Sequence, residues 1–430
     1  MTEMLEPAGG TPPPTSRRTD LPLSGIRVLD LTMVWAGPFT TKQLADMGAE
    51  VIKVEGPGRT DLVRSLTVPD QSVDRPWDTS RYFHEYNRNK MGVAIDVRQD
   101  AGKKLLLQLA AISDVLIDNF RPGVLDRLGL AWDVLHAENP RLIQVSLPGY
   151  SDVPPERGLP GYGPNVEQMG GLAHLNGYHD GPPQKSGISY GDPVAGLGGA
   201  AAVLTALAQR DRTGVGMQIE VGQRNILIGL IGDALVGHQL GSAPVRMGNR
   251  SATVAPQGVY PTRGPDGSDA DSADAWVAVT VASDSQWQAT CALIERSDLA
   301  GLTTDDRLDR HDELDAAIAA WSRRRTAAEA ADALQAAGVP AGPVLGPDAL
   351  AEDEHLIERG FFVEVPHPHL GVTRLTAPTW DFDGLDIELT RAPGLGEHNI
   401  HVLRELLGYS DDDIAALHAA GVVAVRPAGR

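Results

Sequence analysis

The sequence predicts an α/β protein: a large Rossmann-like domain built on a parallel sheet, with a smaller α+β domain beside it. Three observations carry this. Short apolar runs alternate with helix-period segments through the first third of the chain. Those runs are mostly apolar on both faces, as strands covered by helices on either side must be. Past residue 240 the composition turns to a Gly-, Ser- and Asp-rich stretch around β-like runs, followed by helical segments.

In chain order, GIRVLDLTMV reads as the first strand and GPFTTKQLADMG as a helix opened by proline and closed by glycine. AEVIKVE, GVAID, DVLIDNF and RLIQVSL are the next strands, with DAGKKLLLQLAAIS and GVLDRLG as helices among them. Right-handed crossovers then give the Rossmann-like layout. The first turn, MVWAGPF, carries no G-x-G-x-x-G, so a nicotinamide dinucleotide is not expected. Residues 151–175 are loop-rich, and strand-like GMQIEV precedes an apolar helix, RNILIGLIGDALVGHQL. The domains predicted are a disordered tail over 1–20, the large domain over 21–225, the small domain over 226–345 and a returning segment over 346–430.

The formal net charge is −20, which argues against nucleic acid and anionic membranes as general partners. No run approaches the eighteen or so uninterrupted apolar residues of a membrane span. The first twenty residues lack the apolar core of a secretory signal, so a cytoplasmic protein is expected. The single cysteine, Cys291, excludes an intrachain disulfide and sits at an apolar helical position that reads as packing. Histidines are dispersed and the acidic loop 266–274 lacks calcium-loop spacing, so no metal is expected. Basic residues gather in the first third, among them Lys53, Arg59, Arg64, Arg88, Lys90, Arg98, Arg121, Arg127 and Arg141. They read either as solvated charges or as an anion site at the strand ends.

The most informative stretch is KSGISYGDPVAGLGGAAAVLTAL. Pro193 marks a helix start and places Asp192 at the helix mouth, where free N–H groups and the helix dipole favour an anion. An ionised carboxylate there can attack an acyl carbon, with N–H groups near Gly196–Gly199 as candidate oxyanion donors. A plain N-cap accounts for the same pattern, as does close packing of the small residues against the other subunit. Gly187–Gly191 matches G-x-S-x-G, but GPPQKS ahead of it cannot be a central strand, so a serine nucleophile at Ser189 is not expected.

The chain resembles the family III CoA-transferases, the CaiB/BaiF family, from about Leu21 to Val423. The matching strings occur in fixed order: GIRVLDLTMVWAGPFTTKQLADMGAEVIKVEGPG, NRNKMGVAIDV, DVLIDNFRPGVLDRLGL, NPRLIQVSLPGY, PGYGP, SGISYGDPVAG, TGVGMQIEV, GNRSATVAPQGVYP, AGVPAGPVL and APGLGEHN. The resemblance implies coenzyme A and acyl-CoA as substrates, a carboxylic acid as partner, no permanently bound cofactor and an interlocked homodimer. It implies Asp192 as the acyl-accepting residue, with Val34, Trp35, Ile95, Arg98, Asn119, Phe120 and Arg127 at CoA-contact positions. Departures stand beside it. Gly56 follows VIKVE where the family often has a basic residue, Trp35 replaces a glutamine, and the glycine-rich lid is missing, so oxalate or formyl-CoA chemistry is not expected. Family racemases carry a histidine beside the PGY motif. Here Gly163 follows Tyr162, and Glu167 lies nearby as a replacement for that second base, which leaves an acyl-CoA racemase or epimerase of the same fold as the alternative.

Overall fold

The computed structural model describes residues 20–66, 72–242 and 244–429. The expected N-terminal tail, apart from Asp20, lies outside the described residues. The described residues group into two units. The first draws on Met1–Ala173, Lys185–Gly241 and Glu358–Arg430, the second on His174–Gln184 and Ser242–Ile357.

The first unit is organised by six parallel strands: β1 (Arg27–Asp30), β2 (Glu50–Glu55), β3 (Lys90–Ala94), β4 (Val115–Asp118), β5 (Ile143–Ser146) and β6 (Met217–Glu220). Their order is β3-β2-β1-β4-β5-β6, with Leu29 registered against Ile52 on one side and Leu116 on the other. The order reverses at β1, which leaves a crevice beyond the carboxyl ends of β1 and β4. Alternation along each strand feeds two cores. Leu29, Ile52, Val93 and Leu116 face one way, onto Leu105, Leu106 and Leu109 of helix Asp100–Ala111. Val28, Val51, Val115 and Ile143 face the other, onto Leu44 of helix Ala36–Asp46 and Val203 and Leu207 of helix Gly191–Thr213. The chain returns late to close the first face with Val402, Leu403, Ile414 and Val423.

Helix Gly191–Thr213 is long and apolar enough by composition to span a membrane, yet half of its apolar window is buried in this fold. Its glycines permit that burial. A Cβ at Gly196 would stand 2.8 Å from the Ala36 carbonyl oxygen, and one at Gly199 would stand 2.7 Å from Thr40 Oγ1. Close packing against helix Ala36–Asp46 of the same chain therefore accounts for both residues. As mid-helix positions their N–H groups are spent on intrahelical bonds, which removes them as oxyanion donors.

The second unit carries an antiparallel sheet of β7 (Gln257–Pro261), β8 (Trp276–Thr280) and β9 (Ala341–Pro343), covered by helices around Trp287, Leu314, Ile318 and Leu334. Cys291 is packed in this core, and burial pushes its thiol up to about 11. The unit's boundaries differ from 226 and 345. Helices Gln223–Leu230 and Gly232–Gln239 stay with the first unit, because Leu227 packs on Tyr150 and Val166 and Gln223 Nε2 donates to the Leu147 carbonyl at 2.9 Å. Helix Pro347–Ala351 belongs to the second unit. A further hairpin, β10 (Phe362–His367) and β11 (Gly371–Thr376), lies in the first.

Candidate active site

The turn after β1 is held from below by buried charge. Lys53 Nζ, within β2, donates to the Thr32 carbonyl and to Asp61 Oδ2 at 2.9 Å, with neither side chain of the ion pair exposed. The other Asp61 oxygen accepts the Val34 N–H at 2.9 Å. Val34 is thereby fixed at φ 71°, a strained value for a β-branched residue. From β4, Asn119 clamps the same turn: Met33 N–H donates to Asn119 Oδ1 at 2.8 Å, and Asn119 Nδ2 donates to the Met33 carbonyl at 2.7 Å. The amide read as a CoA contact is thus committed to the protein backbone. Its role is to shape the Met33–Trp35 surface, where Trp35 begins helix Ala36–Asp46.

Asp192 does not cap its own helix. The helix begins at Gly191, Tyr190 is the N-cap without a side-chain bond, and Asp192 lies inside the first turn. Its carboxylate instead lies near the Ala36 N–H, which favours its ionised form, so the helix end it faces is that of Ala36–Asp46. The side chain is buried, at 9 % exposure. Burial raises its pKa to about 6, the nearby Ala36 N–H opposes that, and the Glu167 carboxylate adds to it. It is therefore less acidic than an ordinary helix-mouth aspartate, while still mostly ionised at neutral pH. Space for it comes from Gly163, where a Cβ would stand 1.8 Å from Asp192 Oδ2. A side chain at 163 and this carboxylate exclude one another.

Glu167 is fully buried. Its oxygens accept Ser186 N–H at 2.8 Å, Ser186 Oγ at 3.0 Å and Tyr190 N–H at 3.2 Å. These bonds set the loop that delivers Asp192 and leave Glu167 committed to loop structure, which disfavours it as a racemase base. Ser189 has no base hydrogen-bonded to it among the described residues. The segment before it, 182–186, is irregular, as expected for an accidental elbow match.

Asp192 lines a cleft of about 1260 Å³ together with Val34, Trp35, Asn119, Phe120 and Arg127. Ile95 and Arg98 line an adjoining cavity of about 170 Å³, joined to the first through Met33, Arg59 and Phe120. The geometry thus brings the anticipated positions to one connected surface at the crevice. Arg98 is exposed and forked onto Asp96, with Nε to Oδ1 at 2.8 Å. Sequence reasoning missed Tyr82 and Tyr86 on helix Arg81–Tyr86, which also line the cleft. Their i, i+4 spacing was the available signal.

The basic cluster divides sharply. Lys90 pairs with Asp30 at 3.1 Å, Arg88 with Asp46 at 2.7 Å, and Arg64 with Glu55 and Asp78, each at 2.7 Å, all buried. With Lys53, these are internal struts and not anion ligands. Arg59, Arg121 and Arg127 remain exposed at the cleft.

A parallel sheet with its reversal at β1, and a buried carboxylate in the crevice, define an α/β enzyme whose site opens at the strand ends. The sequence profile of CoA-transferase family III matches residues 23–399, and the chain belongs to that family. It is 35 % identical to the succinyl-CoA–D-citramalate CoA-transferase of Chloroflexus aurantiacus, over 95 % of this chain and all of that one. It is 34 % identical to a formyl-CoA:oxalate CoA-transferase of Rhodopseudomonas palustris, over 94 % of this chain and 97 % of that one. The crystal structure of a CaiB/BaiF family protein from Brucella suis superposes with a TM-score of 0.80 at 30 % identity, covering 90 % of this chain and 99 % of that one. The chain is an enzyme, a CoA-transferase.

Proposed function

We propose that this enzyme moves CoA from an acyl-CoA to a free carboxylic acid with Asp192 as the covalent carrier. The observation that carries the reading is a buried carboxylate with no ion-pair partner among the described residues, held against the first N–H of helix Ala36–Asp46 and lining the large cleft.

An Asp192 oxygen attacks the thioester carbonyl, the C–S bond breaks, and CoA leaves as thiolate with the electron pair. The thiolate attacks the aspartyl carbonyl of the resulting anhydride. The first acid is released as carboxylate and the aspartyl-CoA thioester remains. The acceptor carboxylate attacks that thioester, expelling thiolate, and the thiolate then takes the acceptor acyl group from the second anhydride. Asp192 returns as carboxylate. No net proton or electron is transferred. The chain's own contribution is alignment and charge: Ala36 N–H faces the reacting carboxyl, and a single oxyanion donor is worth about 3–4 kcal/mol in comparable sites.

Phe120, Arg127, Val34 and Trp35 line the surface along which the CoA arm would lie, with Arg59 and Arg98 toward the nucleotide end. The same reading takes the working form as an interlocked homodimer. Supporting it, Leu230, Leu235, Val236 and Leu240 leave an apolar face exposed on the first unit, Leu240 at 80 %. The test is Asp192→Ala. Transfer should fall by at least about a thousandfold with the fold intact by circular dichroism. Retention of more than a few per cent of the rate removes Asp192 as the carrier.

A further inference from the structure

We propose, resting on the CoA-transfer reading, that the acids exchanged here are monocarboxylates with an aromatic or bulky apolar body, and that short dicarboxylates are poor substrates. The observation is the wall beside Asp192. Trp35, Tyr82 and Tyr86 line the cleft with it and pack on one another, with ring centroids 5.8 Å apart for Trp35–Tyr82, 5.4 Å for Trp35–Tyr86 and 4.9 Å for Tyr82–Tyr86. Phe39 backs this group, 5.9 Å from Tyr86. Helix Ala36–Asp46 supplies one side of the wall and helix Arg81–Tyr86 the other, so the rings are fixed by two elements of the same unit. All three lining rings are half-buried, which leaves aromatic surface facing the cleft. Apolar rings in an open crevice gain by covering with another flat apolar body, through area burial and edge-to-face contact.

The charges point the same way. A short dicarboxylate joined through one end needs a cation for the other end. The charge that raises the Asp192 pKa is the like charge of Glu167, and no lysine or arginine forms an ion pair with Asp192 among the described residues. Lys42 lies behind the wall, 5.3 Å from the Phe39 ring centroid and 5.7 Å from that of Tyr86. It is spent on Glu85 at 2.7 Å, with its side chain only 5 % exposed. Lys185 lines the cleft from the exposed 182–186 loop, with Nζ donating to the Ser186 carbonyl at 2.8 Å. Arg59, toward the nucleotide end, and Arg127, along the CoA arm, are taken by the CoA reading, and Arg121 follows β4 beside them. Both tyrosines sense the Asp192 charge, and burial, with the Glu85 charge and then that of Asp192, pushes Tyr86 up to about 12. Their hydroxyls stay protonated, so the wall carries no anion of its own.

The test uses the purified full-length enzyme with phenylacetyl-CoA, benzoyl-CoA, isovaleryl-CoA and succinyl-CoA, each paired with free phenylacetate, benzoate, isovalerate, succinate and oxalate. New thioesters are read by mass spectrometry. The expected result is a kcat/KM for the aromatic or branched acids at least about fiftyfold above that for succinate or oxalate. Trp35→Ala and Tyr86→Ala should each lower the aromatic-acid value about tenfold. Tyr86→Arg should narrow the gap to succinate by as much. Equal or faster transfer to succinate or oxalate overturns the inference and leaves CoA transfer standing. An absence of transfer in every pairing overturns both.

Discussion

Asp192 combines two properties that ordinarily oppose one another: it is buried and it must be charged. Burial raises its pKa, so the folded carboxyl holds a proton more tightly than the unfolded one. Above about pH 6 the folded state carries an uncompensated buried anion, and the whole penalty is present. The penalty fades as pH falls through 6 toward the ordinary carboxylate value. Asp192→Asn should therefore abolish transfer and yet stabilise the protein at pH 7.5, by roughly 2–3 kcal/mol from the linkage between pKa and folding. Urea melts should show the gain closing below about pH 4; a destabilised Asn variant at pH 7.5 contradicts this. Activity needs the ionised form, so kcat/KM should rise through a limb near pH 6. Glu167→Gln removes the like charge while keeping the volume, and should move that limb to lower pH. A purely structural role for Glu167 leaves the limb in place. Gly163→Ala puts a methyl where the carboxylate oxygen sits, and should cut kcat about a hundredfold by displacing it.

At the scale of the element, the Met33–Trp35 turn shows how buried charge in a strand shapes a binding surface. Lys53 and Asp61 hold Val34 in a left-handed conformation that the sequence alone does not favour. Asp61→Ala leaves a lysine buried without its partner and a freed Val34 N–H. It should lower stability by about 3–5 kcal/mol in urea titration and raise the KM for acyl-CoA as the turn relaxes. Much of this part of the fold was legible. The strands RVLD, EVIKVE and VLID and the helix that opens at GPF follow from apolar runs and Gly/Pro punctuation. The fate of the lysines and arginines was not, because a basic residue in a strand looks the same whether it faces a phosphate or an internal aspartate. Only the placement of Asp30 and Glu55 by the parallel register, of Asp46 by the helix after β1 and of Asp61 by the loop after β2 decides it.

At the scale of the whole molecule, six strands deliver residues from Val34 to Asp192 to one crevice, and the reversal of order at β1 positions it. The positions that the family resemblance assigned to CoA line this crevice and its adjoining cavity. What the family motifs did not convey was division of labour: Asn119 holds the turn, and Asp192 faces the neighbouring helix instead of capping its own. The contact grouping keeps residues 226–241 with the first unit, since Leu227 packs on Tyr150 and Val166; from sequence alone an apolar helix looks alike in either unit. The exposed apolar face at Leu230–Leu240 leads us to expect a dimer that light scattering finds undissociated on dilution to nanomolar concentration, as interlocked chains require. A monomer under those conditions contradicts that assembly.

The central claim is that one buried carboxyl becomes an acyl carrier, and trapping tests it directly. The enzyme is incubated with acyl-CoA alone, quenched with hydroxylamine, digested and sequenced by mass spectrometry. The account predicts a hydroxamate on Asp192 and on no other carboxyl, formed only when thioester is present. An active enzyme with Asp192 unmodified, or with the label on Glu167, would contradict it.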